Sequence, residues 1–101
     1  MTQVAVIHSA FEETPRTVAF VEVGNVEVLG VDQALEYAYQ KTNNITGSWS
    51  RVAQKDVTVM AALPVSKRTG ETMGLRSTSM GDFMVLEGVK YKVGAFGFEA
   101  I

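Results

Sequence analysis

Chemically useful side chains are densest at Arg76-Ser77-Thr78-Ser79-Met80-Gly81-Asp82, where a guanidinium, three hydroxyls, a carboxylate and a glycine share seven positions. Two chemistries use those parts. In the first, backbone N–H groups of a tight turn, the Ser77 and Ser79 hydroxyls and the Arg76 guanidinium converge on a phosphate or carboxylate. In the second, hydroxyls and carboxylate bond to neighbouring backbone N–H groups, Gly81 takes a positive φ, and Asp82 holds the start of a strand. A free phosphate would meet repulsion from Asp82 unless that side chain turns away. Arg76, Ser77 and Ser79 are therefore the candidates for recognition of a partner or an anion, and Gly81 and Asp82 the candidates for a structural turn.

Elsewhere the catalytic inventory is thin. The single histidine, His8, continues the Val4-Val6 face and reads as a packed residue; no Gly-x-Ser-x-Gly elbow accompanies it. With no cysteine in the chain, disulfides, cysteine nucleophiles and cysteine-based zinc sites are excluded. Glu12-Glu13 and Glu22 with Glu27 are carboxylate pairs, but sequence gives neither a cleft nor a raised pKa for them. No Walker loop or dinucleotide fingerprint is present. The expectation is a non-enzymatic protein without cofactor or metal.

Charge is unevenly placed. Residues 1–50 carry six acids and two bases, residues 51–101 five acids and seven bases, for a net −2 overall. Arg51, Lys55, Lys67, Arg68 and Arg76 fall between Trp49 and Gly81 against only Asp56 and Glu71. That cluster is either a solvated loop face or a docking patch for phosphate, nucleic acid or an acidic protein; Lys67 and Arg68 are its centre. Trp49, flanked by serines, is either a core anchor or a partner-binding hot spot.

These residues must be positioned by a small framework. Residues 3–9 and 17–23 are valine-rich and read as strands. Gly24-Asn25 followed by Val-Glu-Val-Leu-Gly predicts a two-residue hairpin into a further strand, which would set Glu22 against Glu27. Residues 31–45 are the clearest helix: Val31, Ala34, Leu35, Ala38, Thr42 and Ile45 form one stripe, with Tyr37 and Tyr39 sealing its edges. Residues 57–63 alternate until Pro64, and 64–74 is a polar, glycine-punctuated segment expected to be mobile. Phe83–Leu86 is apolar on both faces, Glu87-Gly88 a turn, and Val89–Val93 a strand. Gly94 and Gly97 interrupt the last strand, with Phe96 and Phe98 expected to close the core. The predicted fold is α+β: one amphipathic helix packed on a small, curled, mostly antiparallel sheet of five or six strands.

The 101 residues suit a single domain, and 47% hydrophobic with 20% charged residues is an ordinary globular composition. The first residues lack a basic segment leading into a long apolar run, and no stretch approaches the roughly 20 apolar residues that span a bilayer. A cytoplasmic protein without membrane association is expected.

Two stretches carry a resemblance. "ALEYAYQKTNNITGSWS" (34–50) and "LRSTSMGDFMVLEGVKYKVGAFGFEAI" (75–101) are similar to a family of small phage proteins. In that family a helix ending in Thr-Asn-Asn-Ile is paired with a carboxy-terminal Arg-Ser-x-Ser-x-Gly-Asp, a hydrophobic strand and a Gly-Phe ending. The second stretch also resembles the YodL-like domain of mobile elements, through Ser77, Ser79, Asp82, Gly97 and Phe98. The resemblance implies a mobile-element setting and a small accessory role; together with the small size, the absent catalytic kit and the basic loop, it leads to an accessory protein of the host cytoplasm that binds a host or phage protein, in its sharper form inhibiting a host defence or host factor. It brings no catalytic residues. The alternatives from the residues themselves are sequestration of a nucleotide or phosphate ligand, and weak nucleic-acid binding. Exposed sheet edges would also allow a homo-oligomer.

Overall fold

The computed structural model describes residues 2–45 and 47–101; Met1 and Thr46, the latter in the connection after the helix, lie outside them. The strands are β1 (Thr2–His8), β2 (Arg16–Gly24), β3 (Val57–Val59), β4 (Phe83–Leu86), β5 (Val89–Val93) and β6 (Phe98–Ala100). They form one sheet in the order β3-β2-β1-β4-β5-β6, antiparallel at every neighbouring pair. Two helices, α1 (Val26–Leu29) and α2 (Val31–Lys41), complete an α+β fold whose curled sheet does not close into a barrel.

Strand alternation sorts the sheet into two faces. Val4 and Val6 pair across β1–β2 with Val21 and Ala19, and across β1–β4 with Leu86 and Met84, and all six are buried. One irregularity re-aims a side chain. Ile7 pairs with Thr17 and Val6 with Ala19, so Val18 is an extra, bulged residue. The bulge lets Val18 and Ala19, adjacent in sequence, both be buried.

On this inner face α2 lies across β1 and β2. Ala34, Leu35 and Ala38 supply its buried stripe, and each buried aliphatic of leucine size contributes about 1.5–3 kcal/mol. The stripe is shorter than its sequence spacing predicts. The helix ends at Lys41, Thr42 is buried just beyond it, and Ile45, out of helical register, is exposed; Val31, in the first turn, is also largely exposed. Tyr37 and Tyr39 seal the flanks: the Tyr37 hydroxyl donates to Asp56, and the Tyr39 ring meets Phe98 edge-on at 6.1 Å.

Two expectations are corrected, at residues 26–29 and at Phe96. Residues 26–29 are a helical turn, not a strand: the Asn25 side chain accepts from the Glu27 N–H at 3.0 Å, which makes it a helix cap rather than a hairpin corner. Glu22 consequently faces Gln3, and the facing Glu22–Glu27 pair does not form. Residues 64–73 are a narrow hydrogen-bonded ribbon, bridged at Val65–Thr72, with Ser66 N–H donating to Glu71 O and Met73 N–H to Pro64 O. Phe98 packs on the core, but Phe96 sits at the tip of the β5–β6 turn, wholly exposed, because that turn already closes through Gly94 N–H to Gly97 O at 2.7 Å.

Candidate functional site

The strand registers place the β1–β2 loop, the segment before β4 and the β5–β6 turn at one end of the sheet. There Asp82, fully buried, collects the chain. Its Oδ1 accepts from the N–H groups of Ser9 (2.8 Å) and Ala10 (2.9 Å), and its Oδ2 from Ser79 N–H (2.8 Å). Arg76 completes the set with a bidentate pair, Nη2 to Oδ1 and Nη1 to Oδ2, both 2.7 Å. On its other side Arg76 grips Glu12, Nη2 to Oε1 at 2.7 Å and Nε to Oε2 at 3.0 Å. Its remaining N–H donates to Ser77 O at 2.9 Å.

A guanidinium has five N–H donors, and all five are engaged. Arg76 therefore has none left for an added phosphate or carboxylate, which would also meet the two carboxylates it already neutralises. Ser77 Oγ accepts from Asn44 N–H at 2.8 Å, and Ser79 Oγ donates to Ser77 O at 3.1 Å. Arg76 thus spends its donors in tying the chain to itself, and Ser77 and Ser79 each take part in that tie through one hydroxyl bond.

The electrostatics follow from this geometry. Burial pushes the Asp82 carboxyl up, but the Arg76 bonds and three backbone N–H groups outweigh it and hold the group at about 2. The Arg76 hydrogen bond likewise draws Glu12 below the ordinary carboxylate range. Bonds to Asp82 and then Glu12 raise Arg76 further. Gly81, beside Asp82, has φ 97°, and a Cβ there would lie 3.1 Å from the Ala10 Cβ. Its N–H donates to Val93 O (2.9 Å), and Val93 N–H returns to Asp82 O (2.8 Å). Gly81 and Asp82 thus bind the loop after β1 to β5 as well as forming a turn.

A buried polar chain runs beneath. Thr42 Oγ1 donates to Ala38 O at 2.9 Å, and Thr78 Oγ1 donates to Thr42 Oγ1 at 2.8 Å. With its proton committed, Thr78 Oγ1 can only accept at its 3.0 Å contact with His8 Nε2, which fixes the proton on Nε2. Burial lowers the His8 pKa, and the nearby Arg76 charge lowers it again. His8 is therefore a neutral, internally bonded imidazole under the edge of Trp49, 6.2 Å between ring centroids, and is 1% exposed.

Trp49 is a core anchor, 3% exposed, with Nε1–H donating to Arg76 O at 2.8 Å. Asn44 ties it to the same segment, accepting from Trp49 N–H and donating to Leu75 O. Lys67 and Arg68 lie apart from the knot, exposed at the tip of the 64–73 ribbon, where the Ser66 hydroxyl accepts from Arg68 and Thr69 N–H. The ion pairs among the described residues are those of Arg76. No group of three metal-ligating side chains occurs among the described residues, and no helix is long and apolar enough to cross a membrane.

No family model matches this chain, and neither a curated protein nor a solved structure matches it.

Two participants escaped the sequence reading. Glu12 stands 64 positions from Arg76, and nothing in its loop distinguishes it from Glu13. Thr78 passed for one more turn hydroxyl, although it alone of the three is buried. The same end of the sheet also carries exposed apolar residues that sequence did not group. Phe11 (75% exposed), Met80 (61%) and Phe96 (105%) stand on the three neighbouring segments at this end. The Arg76 guanidinium lies 4.8 Å from the centre of the Phe11 ring and supports it by a cation–π contact.

Proposed function

We propose that this protein is a non-enzymatic accessory protein that binds a protein partner through the end of the sheet presenting Phe11, Met80 and Phe96. The observation that carries the reading is the combination of exposed apolar side chains with segments fixed by buried polar bonds. Asp82 and Arg76 hold the loop after β1 against the segment before β4, and the Gly81–Val93 pair joins both to β5. Apolar anchors held on rigid segments lose little freedom on docking, which is the property of interface hot spots. The non-enzymatic part rests on His8, which is bonded internally and shielded from any solvent-borne substrate. The resemblance to small phage proteins supplies the class of partner: a host or phage protein in the host cytoplasm, in the sharper form a host factor or defence protein that is inhibited by being bound.

The test is affinity capture from a bacterial host extract with wild-type protein, Phe11→Ser/Met80→Ser/Phe96→Ser, and Lys67→Glu/Arg68→Glu, all checked for folding by circular dichroism. Wild type and the ribbon variant should retain the same saturable species, and the triple variant should lose it. Undiminished capture by the folded triple variant would sink the proposal. Loss only in the ribbon variant would move the interface to residues 64–73.

A further inference from the structure

Among the described residues, the face of the sheet opposite α2 carries no helix. Alternation and register place on it Phe20, Ala5 and Val85 in one row and Ile7 and Phe83 in the next. All five are half-buried within their own layer and remain open to solvent. The charges around this strip are arranged by side. Glu22 lies on β2, facing Gln3, while Lys90 and Lys92 lie on β5, facing Val85 and Phe83. Lys92 stands beside Glu99 of β6 in the register, without an ion pair between them. Lys90 reaches over the Phe83 ring, 4.3 Å from its centre, and neither it nor Glu22 has an ion-pair partner among the described residues.

We propose that this face is the interface of a homodimer, in which two sheets pack face to face with Glu22 of one copy directed at Lys90 of the other. The sheet order makes the face self-complementary. β2 and β5 lie equally far from the line between β1 and β4. A two-fold axis along that line, parallel to the strands, sets β5 of one copy over β2 of the other and keeps the strands aligned, as sheet-on-sheet packing requires. Lys90 then lies across from the row of Phe20, within a residue pair of Glu22. The apolar strip becomes the inside of a sandwich, and Glu22 and Lys90 find partners. A nucleic acid is the poorer occupant: the strip's flanking charges, Glu22 and Glu99 against Lys90 and Lys92, cancel. The face spans five strand spacings of about 4.8 Å by two rows of side chains. That is about 24 by 14 Å, roughly 330 Å² per copy, below the size of standard specific interfaces and in the range of weak, transient contacts, so the dimer is weak and concentration-dependent.

Sedimentation over a wide concentration range, with charge exchange, tests it. Within one chain Glu22 and Lys90 are three strand spacings apart, about 14 Å, beyond the reach of an ion pair. Energetic coupling between them therefore has to come from a second copy. Glu22→Lys alone and Lys90→Glu alone should each weaken self-association at least about fivefold. An equimolar mixture of the two variants should form heterodimers at near wild-type affinity, as should the chain carrying both changes. Phe83→Ser, assayed after a folding check, should abolish association. A wild type that stays monomeric at all concentrations, or single variants unaffected or not restored by mixing, would overturn the proposal. So would a monomer that binds a labelled oligothymidylate and loses it on Phe83→Ser, which would assign the face to single-stranded nucleic acid.

Discussion

Replacing Asp82 with asparagine keeps its shape and removes its charge. If the amide oxygen takes the Oδ1 position, it still accepts from Ser9, Ala10 and Arg76 Nη2. The amide NH2 then occupies the Oδ2 position, where it faces two donors, Ser79 N–H and Arg76 Nη1. Losing two hydrogen bonds to a buried charge costs about 3 kcal/mol. A second route gives a similar figure. The Asp82 pKa falls from an ordinary 3.8 to about 2, and a depression of that size is worth roughly 2 kcal/mol at neutral pH. Because the folded-state pKa lies below the unfolded one, this contribution is complete above about pH 5 and fades toward pH 2. Urea unfolding followed by Trp49 emission, at neutral pH and near pH 2.5, measures both quantities. Wild type should exceed Asp82→Asn by about 3 kcal/mol at neutral pH, and the gap should shrink by at least about half in acid. His8, whose lowered pKa also makes acid destabilising, does not cancel completely: the Asp82 charge holds it up, so acid weakens Asp82→Asn slightly more and offsets part of the shrinkage. A neutral-pH gap below about 1 kcal/mol, the size of one ordinary hydrogen bond, would refute the reasoning. So would a gap that does not change with pH.

Two further outcomes probe the surrounding structure. Thr78→Val leaves the His8 Nε2–H without an acceptor and should cost about 1–3 kcal/mol in urea unfolding, while Ser77→Ala, in the exposed part of the same segment, should cost less. At Gly74 an added Cβ would meet Ser48 Oγ at 2.0 Å and Ser48 Cβ at 3.1 Å; Gly74→Ala should lower stability by about 1–3 kcal/mol, and Ser48→Gly in the same chain should recover part of it.

Much of the framework was legible because periodicity reports burial directly. Ala34, Leu35 and Ala38 announced α2, and Val57, Val59, Ala61 and Leu63 announced the half-buried row that continues past β3. The failures have a common physical origin. At 24–29 local signals conflicted: Gly24-Asn25 and two valines favoured a hairpin, while Asn25 followed by Glu27 in the first turn is also a helix start, and the cap bond decided it. At Phe96 the alternation was correct, but a closed glycine turn put the ring outside. The bonding around Arg76 was hidden for a different reason. Its residue types were visible, yet whether a guanidinium awaits a ligand or is already satisfied depends on Glu12, which only the β1–β4 pairing brings near. Side chains that act through distant partners leave no periodic trace.

The pairing of β1 with β4 bears on how the chain can be made. β1 precedes every other element yet occupies the interior of the sheet, and Val4 does not meet Leu86 until β4 has been made. Until then one long edge of β1 stays bare, and the amides of Ser9 and Ala10 lack the carboxylate that receives them. Loop-closure entropy makes such pairings late and slow. A nascent chain on the ribosome therefore holds β1 and β2 with the second edge of β1 unpaired until β4 emerges. Early termination before Asp82 would release a fragment with a sticky strand edge rather than a smaller folded protein.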